Sequence, residues 1–177
     1  MKRGILLLVS ICLLLLSGCQ PFTSEQSAEA IGKGEDGFIT NIDPEANTLL
    51  INSTYYKITD QAQIKDLNGE ILDWTDVQIG MKVKTWYTGE LNKAFPNKGQ
   101  AKLVLVLTDE SSLREREAVT SAIDYVKKSE SQQFMVLKLT HIPEEDIYDI
   151  ELMKRSNLDE SFTVMVDGET KEILDQH

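Results

Sequence analysis

Hydrophobic and polar positions divide the chain into three stretches. An apolar run from Ile5 to Leu16 follows two cations. Residues 20–36 are small and polar and show no apolar period. From Gly37 onward, apolar residues recur with the period of β-strands and, in one segment, with that of a helix. The pattern therefore predicts an N-terminal processing segment, a tether and a folded body.

Residues 1–18 have the pattern of a secretory signal peptide. The apolar run is about a dozen residues long, whereas a helix that crosses a membrane needs about 20. The run ends in Leu16-Ser17-Gly18-Cys19, which resembles the lipobox of bacterial lipoproteins. That resemblance implies cleavage before Cys19 and a diacylglycerol thioether on its sulfur. The alternative interpretation is an ordinary signal peptide with an incidental cysteine.

Lipidation at Cys19 predicts a protein held at the extracytoplasmic face of the cell membrane, as in Gram-positive lipoproteins. Each buried methylene of an acyl chain such as palmitate contributes ~0.8 kcal/mol, so that two or three chains hold firmly. Residues 19–36 cannot bury enough surface to offset their ordering entropy, and we predict a flexible tether there. A tether of that length would hold the body roughly 20–25 Å from the membrane.

Charge and cysteine content exclude several function classes. The chain has 29 acids and 18 Lys and Arg residues, for a net charge of −11. Residues 1–18 include Lys2, Arg3 and no acid, so the mature body carries −13. Such a surface repels phosphate backbones and anionic lipid, and we expect no nucleic-acid partner. Cys12 leaves with the signal and Cys19 is lipidated, which excludes a disulfide, a thiol nucleophile and a thiolate metal site.

Residues 37–108 are predicted to form a small β domain. In the segment 82–87, Val83 and Thr85 face away from Lys84 and Trp86. The run 101–107 lacks alternation, which indicates a strand buried on both faces. Five or so short strands favour an OB-like closed barrel, because closure leaves no open edge. We predict strands at 38–42, 48–52, 54–58, 82–87 and 101–107, a brief helix or turn at 59–64 and a tight turn at 67–71.

Residues 109–177 are predicted to form an α+β module. Acids and serines from Asp109 favour a helix start, and the helix is expected to end near Ser129. Strands are predicted at 134–140, 148–154, 161–166 and 171–174. One helix packed on a three- to four-stranded antiparallel sheet is the expected arrangement. The predicted helix presents an apolar stripe of Val119, Ala122, Ile123 and Val126.

Two family resemblances accompany these patterns. The segment from Gly37 to Val106, above all the run Val83-Lys84-Thr85-Trp86-Tyr87-Thr88-Gly89 and the later Phe95-Pro96, resembles the domain of YobA-like lipoproteins of Gram-positive bacteria. That family supplies no activity to carry over, and the resemblance implies location and fold only.

The C-terminal ending is similar to that of PepSY-type domains, small helix-and-sheet units of secreted and membrane-bound bacterial proteins. The motif is Val164-Met165-Val166-Asp167-Gly168-Glu169-Thr170-Lys171-Glu172-Ile173-Leu174. Lys171 stands where a glycine is usual, so the final turn is expected to differ. The resemblance implies a role in peptidase inhibition or regulation.

Candidate chemistry is sparse. His141, Glu144, Glu145 and Asp146 could together form a metal site, but a single nitrogen ligand in a charged loop more often belongs to a solvated surface. His177 is the last residue. The segment 43–47 lacks the closing glutamate of a calcium loop, and no Gly-x-Ser-x-Gly or phosphate-binding glycine loop is present. We therefore expect no catalytic residue, metal or cofactor, and keep an acid-dependent hydrolase as an alternative.

Six of the aromatic residues in the predicted β domain are candidates for a binding surface. Neighbours in a strand face opposite ways, so Tyr55-Tyr56 and Trp86-Tyr87 each place one ring inside and one outside. Exposed rings could stack on a sugar or anchor a protein, although covering the barrel ends is the favoured interpretation. We expect a non-enzymatic binding or regulatory lipoprotein that contacts an envelope protein such as a peptidase, with a solute or glycan binder as the alternative. The six aromatic residues are Tyr55, Tyr56, Trp74, Trp86, Tyr87 and Phe95.

Overall fold

The computed structural model describes residues 30–92, 94–129 and 132–177. The predicted signal peptide, Cys19 and most of the predicted tether lie outside these residues. The described part of the chain is mostly β, with a seven-stranded sheet, a four-stranded antiparallel sheet and one helix. No helix in these ranges is long and apolar enough to cross a membrane.

The first sheet contains strands β1 to β7, in the order β1-β6-β2-β3-β4-β7-β5, and β6 also pairs with β7. Strands β2, β3 and β4 form an antiparallel meander. Strand β7 runs parallel to β4 and to β5. The strands are β1 Ile31–Lys33, β2 Gly37–Asp43, β3 Thr48–Ile51, β4 Thr54–Lys57, β5 Gln63–Asp66, β6 Lys82–Asn92 and β7 Asn97–Val106.

The end of the predicted tether belongs to this sheet. Strand β1 pairs with β6, with Gly32 opposite Tyr87. A Cβ atom at Gly32 would collide with the Tyr87 ring, and one at Gly34 would lie 2.7 Å from the Tyr56 hydroxyl. The prediction of a tether through residue 36 is therefore wrong for its last residues. Local composition could not reveal a strand that exists because β6 extends far enough to bind it.

Two further predictions for the first sheet need correction. Residues 63–66 form strand β5 rather than a helix or turn, because Ile64 is buried and pairs with Val104. Strand β7 is not buried on both faces. Val104 and Val106 are buried, whereas Leu103 and Leu105 on the other face are only partly buried.

The second unit matches its predicted architecture. Helix α1 spans Glu110–Ser129, and the Asp109 side chain caps it by accepting hydrogen bonds from the Ser112 amide and hydroxyl at 3.0 and 2.7 Å. The four residues of the predicted apolar stripe are buried against strands β9 and β10. The sheet order is β11-β10-β9-β8. Its strands are β8 Phe134–Ile142, β9 Ile147–Lys154, β10 Ser161–Asp167 and β11 Ile173–Gln176.

The two units share a packed interface. Strand β2 is buried on both faces: Ile39 lies in the core of the first sheet, and Phe38 lies in the core that α1 forms with the second sheet. Ile79 packs against this second core as well. Gly80 has φ 88°, and a Cβ atom there would collide with Thr120 of α1. The helix can approach the first sheet because position 80 carries no side chain.

Replacing Phe38 by alanine tests whether the two units depend on each other. The side chain is 6 % exposed, and we expect F38A to lower the free energy of unfolding by about 3–5 kcal/mol, as for other buried aromatics. Urea denaturation of the whole chain, followed by circular dichroism, measures the change. The control is Ile71→Ala, an apolar truncation at a position 68 % exposed. Equal effects of the two substitutions would contradict the shared core.

Candidate functional site

Of the candidate metal ligands in the segment 141–146, only His141 and Asp146 are in contact. His141 Nε2 and Asp146 Oδ1 lie 2.8 Å apart, whereas Glu144 and Glu145 are exposed. The Arg114 guanidinium donates to both carboxylate oxygens of Asp146, at 2.7 and 2.8 Å. That cation already neutralises the carboxylate that a metal would need. Within the described ranges no three His, Cys, Asp or Glu residues are grouped so that they could hold a metal ion.

Asp146 instead links three parts of the second unit. Its carboxylate binds α1 through Arg114, and its carbonyl accepts a 2.6 Å hydrogen bond from the Gly168 amide in the β10–β11 turn. The residue has φ 48°. His141 stacks on Tyr148, with ring centroids 4.5 Å apart. These contacts assign the cluster a structural role.

Some carboxyl groups of the described residues have a shifted pKa, but the shift is not in the direction that a catalytic acid needs. The hydrogen bond from His141 lowers the pKa of Asp146, and the charges of Arg114 and Lys171 act in the same direction. Hydrogen bonds from Ser112 lower the pKa of Asp109, and those from Thr170 lower the pKa of Asp167. A general acid needs a raised pKa instead. These carboxylates are explained as acceptors in a cap and in turns.

The aromatic residues divide between the core and the surface. Tyr56 is 4 % exposed, Tyr87 packs against the same core, and their ring centroids lie 6.3 Å apart. Burial raises the pKa of the Tyr56 hydroxyl. Tyr55 and Trp86 are half-buried and belong to neither core, as strand alternation predicted. Trp74 packs against the first core, and Phe95 is exposed.

Tyr55 leads to a site that the sequence did not indicate. Its hydroxyl donates to Gln133 Oε1 at 2.6 Å, which joins β4 to the segment before β8. The Gln133 carbonyl accepts a 2.9 Å hydrogen bond from the Arg155 amide. Gln133 therefore brings Arg155, from the end of β9, to the side of Tyr55.

An open pocket of about 410 Å³ lies beside these contacts, and we call it the interface pocket. Three of its lining residues are cations, and none is acidic. The first sheet supplies five lining residues and the second unit supplies one. The lining residues are Thr48, Tyr55, Lys57, Lys98, Gly99 and Arg155.

A second pocket, of about 370 Å³, is open at the β3–β4 hairpin. Its polar lining includes Asn52, Ser53, Thr54 and Asn97. Asn52 is already engaged, because its side chain accepts from the Phe38 amide at 3.0 Å and donates to the Asp36 carbonyl. Lys33 and Glu35 also line this pocket, so its charges are mixed. The interface pocket has one sign of charge and is the stronger candidate for a ligand.

Comparisons of the chain with models of protein families, with curated proteins and with solved structures found no match. The YobA-like and PepSY-like resemblances therefore stay predictions.

Replacing Asp146 by asparagine tests its linking role. Because the folded-state pKa of Asp146 is lowered from 3.8, its contribution to stability is present above the unfolded pKa and is lost as pH falls through the folded value. We expect D146N to be less stable than the native chain at pH 7, and the difference to shrink as the pH falls below about 4. Urea denaturation at a series of pH values measures it.

The control is Glu144→Gln, an exposed carboxylate of the same turn, which should leave stability unchanged at every pH. A D146N variant as stable as the native chain at pH 7 would contradict the structural role.

Proposed function

We propose that the chain is a lipid-anchored binding protein of the extracytoplasmic face of the cell membrane. The support for the anchor is the pattern of residues 1–19: two cations, a short apolar run and the lipobox-like ending at Cys19. A thioether-linked diacylglycerol would hold the body at the surface without a membrane-crossing helix. No disulfide is available to the mature body, so its stability comes from non-covalent contacts.

The binding role rests on one observation, the interface pocket. Its lining comes from both units, and other contacts between these units hold them together. Lys82 Nζ lies 2.5 Å from Glu115 Oε2, and both side chains are largely buried. Arg116 also donates to Gln78 across the interface. A pocket whose walls come from two packed units is preorganised, which lowers the entropic cost of binding.

A finer description of the first sheet belongs to the same proposal. We assign strands β2, β3, β4, β7 and β6 to a closed, OB-like barrel. The support is the pairing pattern, in which β2–β3, β3–β4, β4–β7, β7–β6 and β6–β2 return to the starting strand, with β4–β7 parallel. OB-like barrels bind their ligands on an outer face and adjoining loops, and the YobA-like resemblance favours the same assignment.

We also propose that the second unit is a PepSY-like module. In that comparison Lys171 replaces a glycine, and its backbone has φ 61°, a conformation that glycine adopts readily. The Lys171 ammonium donates to the Gly168 carbonyl and lies 3.7 Å from Glu117. The turn thus keeps the backbone expected of a glycine, and the lysine side chain ties it to α1.

Contact with an envelope protein such as a peptidase is the second candidate function. It is favoured by an open groove of about 510 Å³ along α1, where Leu113 is 40 % exposed. The groove is lined by Leu113, Arg116, Glu117, Thr120, Ser121 and Lys171.

The two cysteines provide a matched test of the anchor. Mass spectrometry of the mature native chain should find Cys19 as the N-terminal residue, carrying diacylglycerol. Cys19→Ala should abolish the modification and release the body from the membrane fraction. Cys12→Ala should leave the modification intact, because Cys12 is removed with the signal. A mature N-terminus elsewhere, or equal behaviour of the two variants, would contradict the anchor.

A photoreactive residue at the interface pocket tests the binding role. We expect p-benzoylphenylalanine at Thr48 to form a discrete adduct on irradiation of intact cells. The same residue at Asp175, exposed on β11, should form none. An adduct of small mass supports ligand binding, whereas an adduct with a whole polypeptide favours the envelope-protein contact. No adduct at position 48 above that at position 175 would contradict the binding role.

A further inference from the structure

Strand register places four side chains of the interface pocket on one surface of the first sheet. Tyr55 and Lys57 are two residues apart on β4 and therefore share a face. Lys57 pairs with Thr48 of β3, and Tyr55 pairs with Lys98 of β7. Paired residues in neighbouring strands project to the same side. The floor of the pocket is therefore set by the backbone.

The three cations around this floor have exposed side chains, and the backbone sets where each one starts. Lys57 Nζ donates to the Ala46 carbonyl at 2.5 Å, a contact that orients the ammonium without neutralising it. The Arg155 backbone amide donates to the Gln133 carbonyl, and the Gln133 side chain accepts from the Tyr55 hydroxyl, so the backbone at Arg155 is placed beside Tyr55. Lys98 lies beside Tyr55 in the parallel pair. Three positive charges from three separate elements thus border one pocket.

These three cations have no carboxylate partner among the described residues. The ion pairs there involve Lys82, Lys84, Arg114, Lys171 and the two histidines instead. Like charges held together without counter-charge repel one another, and a bound anion would relieve that repulsion.

We infer that the interface pocket binds a phosphoryl group. A phosphate monoester carries about −1.5 to −2 charges at pH 7 and three strong acceptor oxygens, which matches three cationic donors. A carboxylate offers two oxygens and a single charge. Arg155 can bind a phosphate through two parallel N–H groups, and the two lysines supply point charges. The Thr48 hydroxyl is a further donor on the same face.

The phosphoryl group belongs either to a small molecule or to the headgroup of a larger one. The volume of about 410 Å³ exceeds that of a phosphate alone and leaves room against the half-buried Tyr55 ring. A phosphorylated solute and a phospholipid headgroup share this chemistry. The net charge of −11 repels extended polyanions, whereas a single phosphoryl group meets only the local cations at short range.

Isothermal titration calorimetry tests the inference by measuring the heat of ligand binding to the whole chain in micelles of an uncharged detergent. One arm adds glycerol 3-phosphate, with glycerol as its phosphate-free match. The other arm adds phosphatidic acid to the micelles, with diacylglycerol as its match. We expect saturable one-site binding of at least one phosphate compound and of neither match. Binding in both arms indicates recognition of the phosphoryl group alone, and binding only in the second arm indicates a lipid headgroup.

Charge substitutions connect the binding to this pocket. We expect Lys98→Gln to weaken binding about tenfold, as for the loss of one charge-assisted hydrogen bond, and K57Q/K98Q/R155Q to abolish it. The control K102Q/K128Q/K138Q removes the same charge from equally exposed sites that do not line the interface pocket and should change affinity less than about threefold. Circular dichroism and urea denaturation establish whether each variant is folded. If the triple variant does not fold, K98Q alone provides the test.

The inference rests on the proposed binding role but does not require the lipid anchor. Failure of both phosphate arms would overturn it, as would equal losses in the two triple variants. An adduct at position 48 with no response to phosphate would overturn the ligand class and leave the binding role standing. A chain that is not lipidated at Cys19 yet binds phosphate would retain the inference and lose the anchor.

Discussion

Strand β2 has no solvent-facing side in its first half, and most of the architecture depends on that burial. Ile39 fills the core of the first sheet, while Phe38, its neighbour, fills the core beneath α1. A strand covered on both faces cannot separate from either unit without exposing a large apolar side chain. Gly80 permits the close approach that this requires, because no side chain stands between it and Thr120. The two units consequently behave as one packed body.

This packing also generates the candidate site. Because α1 and the second sheet pack against β2 and β3, Gln133 accepts a hydrogen bond from Tyr55. The Gln133 carbonyl in turn binds the Arg155 amide, which places Arg155 beside β4 and β7. Three cations then surround one pocket in an acidic protein. The Asp146 cluster, by contrast, is closed on itself by Arg114 and His141. Its carboxylate ties the turn at residue 146 to α1 and to His141.

Sequence patterns were most reliable where one face of an element is buried. The alternation of Val83 and Thr85 against Lys84 and Trp86, the stripe on α1 and the cap at Asp109 all lie as the local pattern predicted. The failures have a common cause. Strands β1 and β5 exist because partners distant in sequence bind them, and one face of the run in β7 is only partly buried in the folded protein. Periodicity within a segment does not contain that information.

The sequence by itself determined the class of the molecule: short alternating strands, then one amphipathic helix with further strands, in an acidic chain without cysteine after Cys19. Those properties follow from local side-chain chemistry and spacing. Only the tertiary structure decided which charges remain without a partner. Asp146 is paired with Arg114, whereas Lys57, Lys98 and Arg155 reach one pocket from two strands and the turn after β9. Whether a charge is paired depends on distances through space, and the packing of the two units sets those distances.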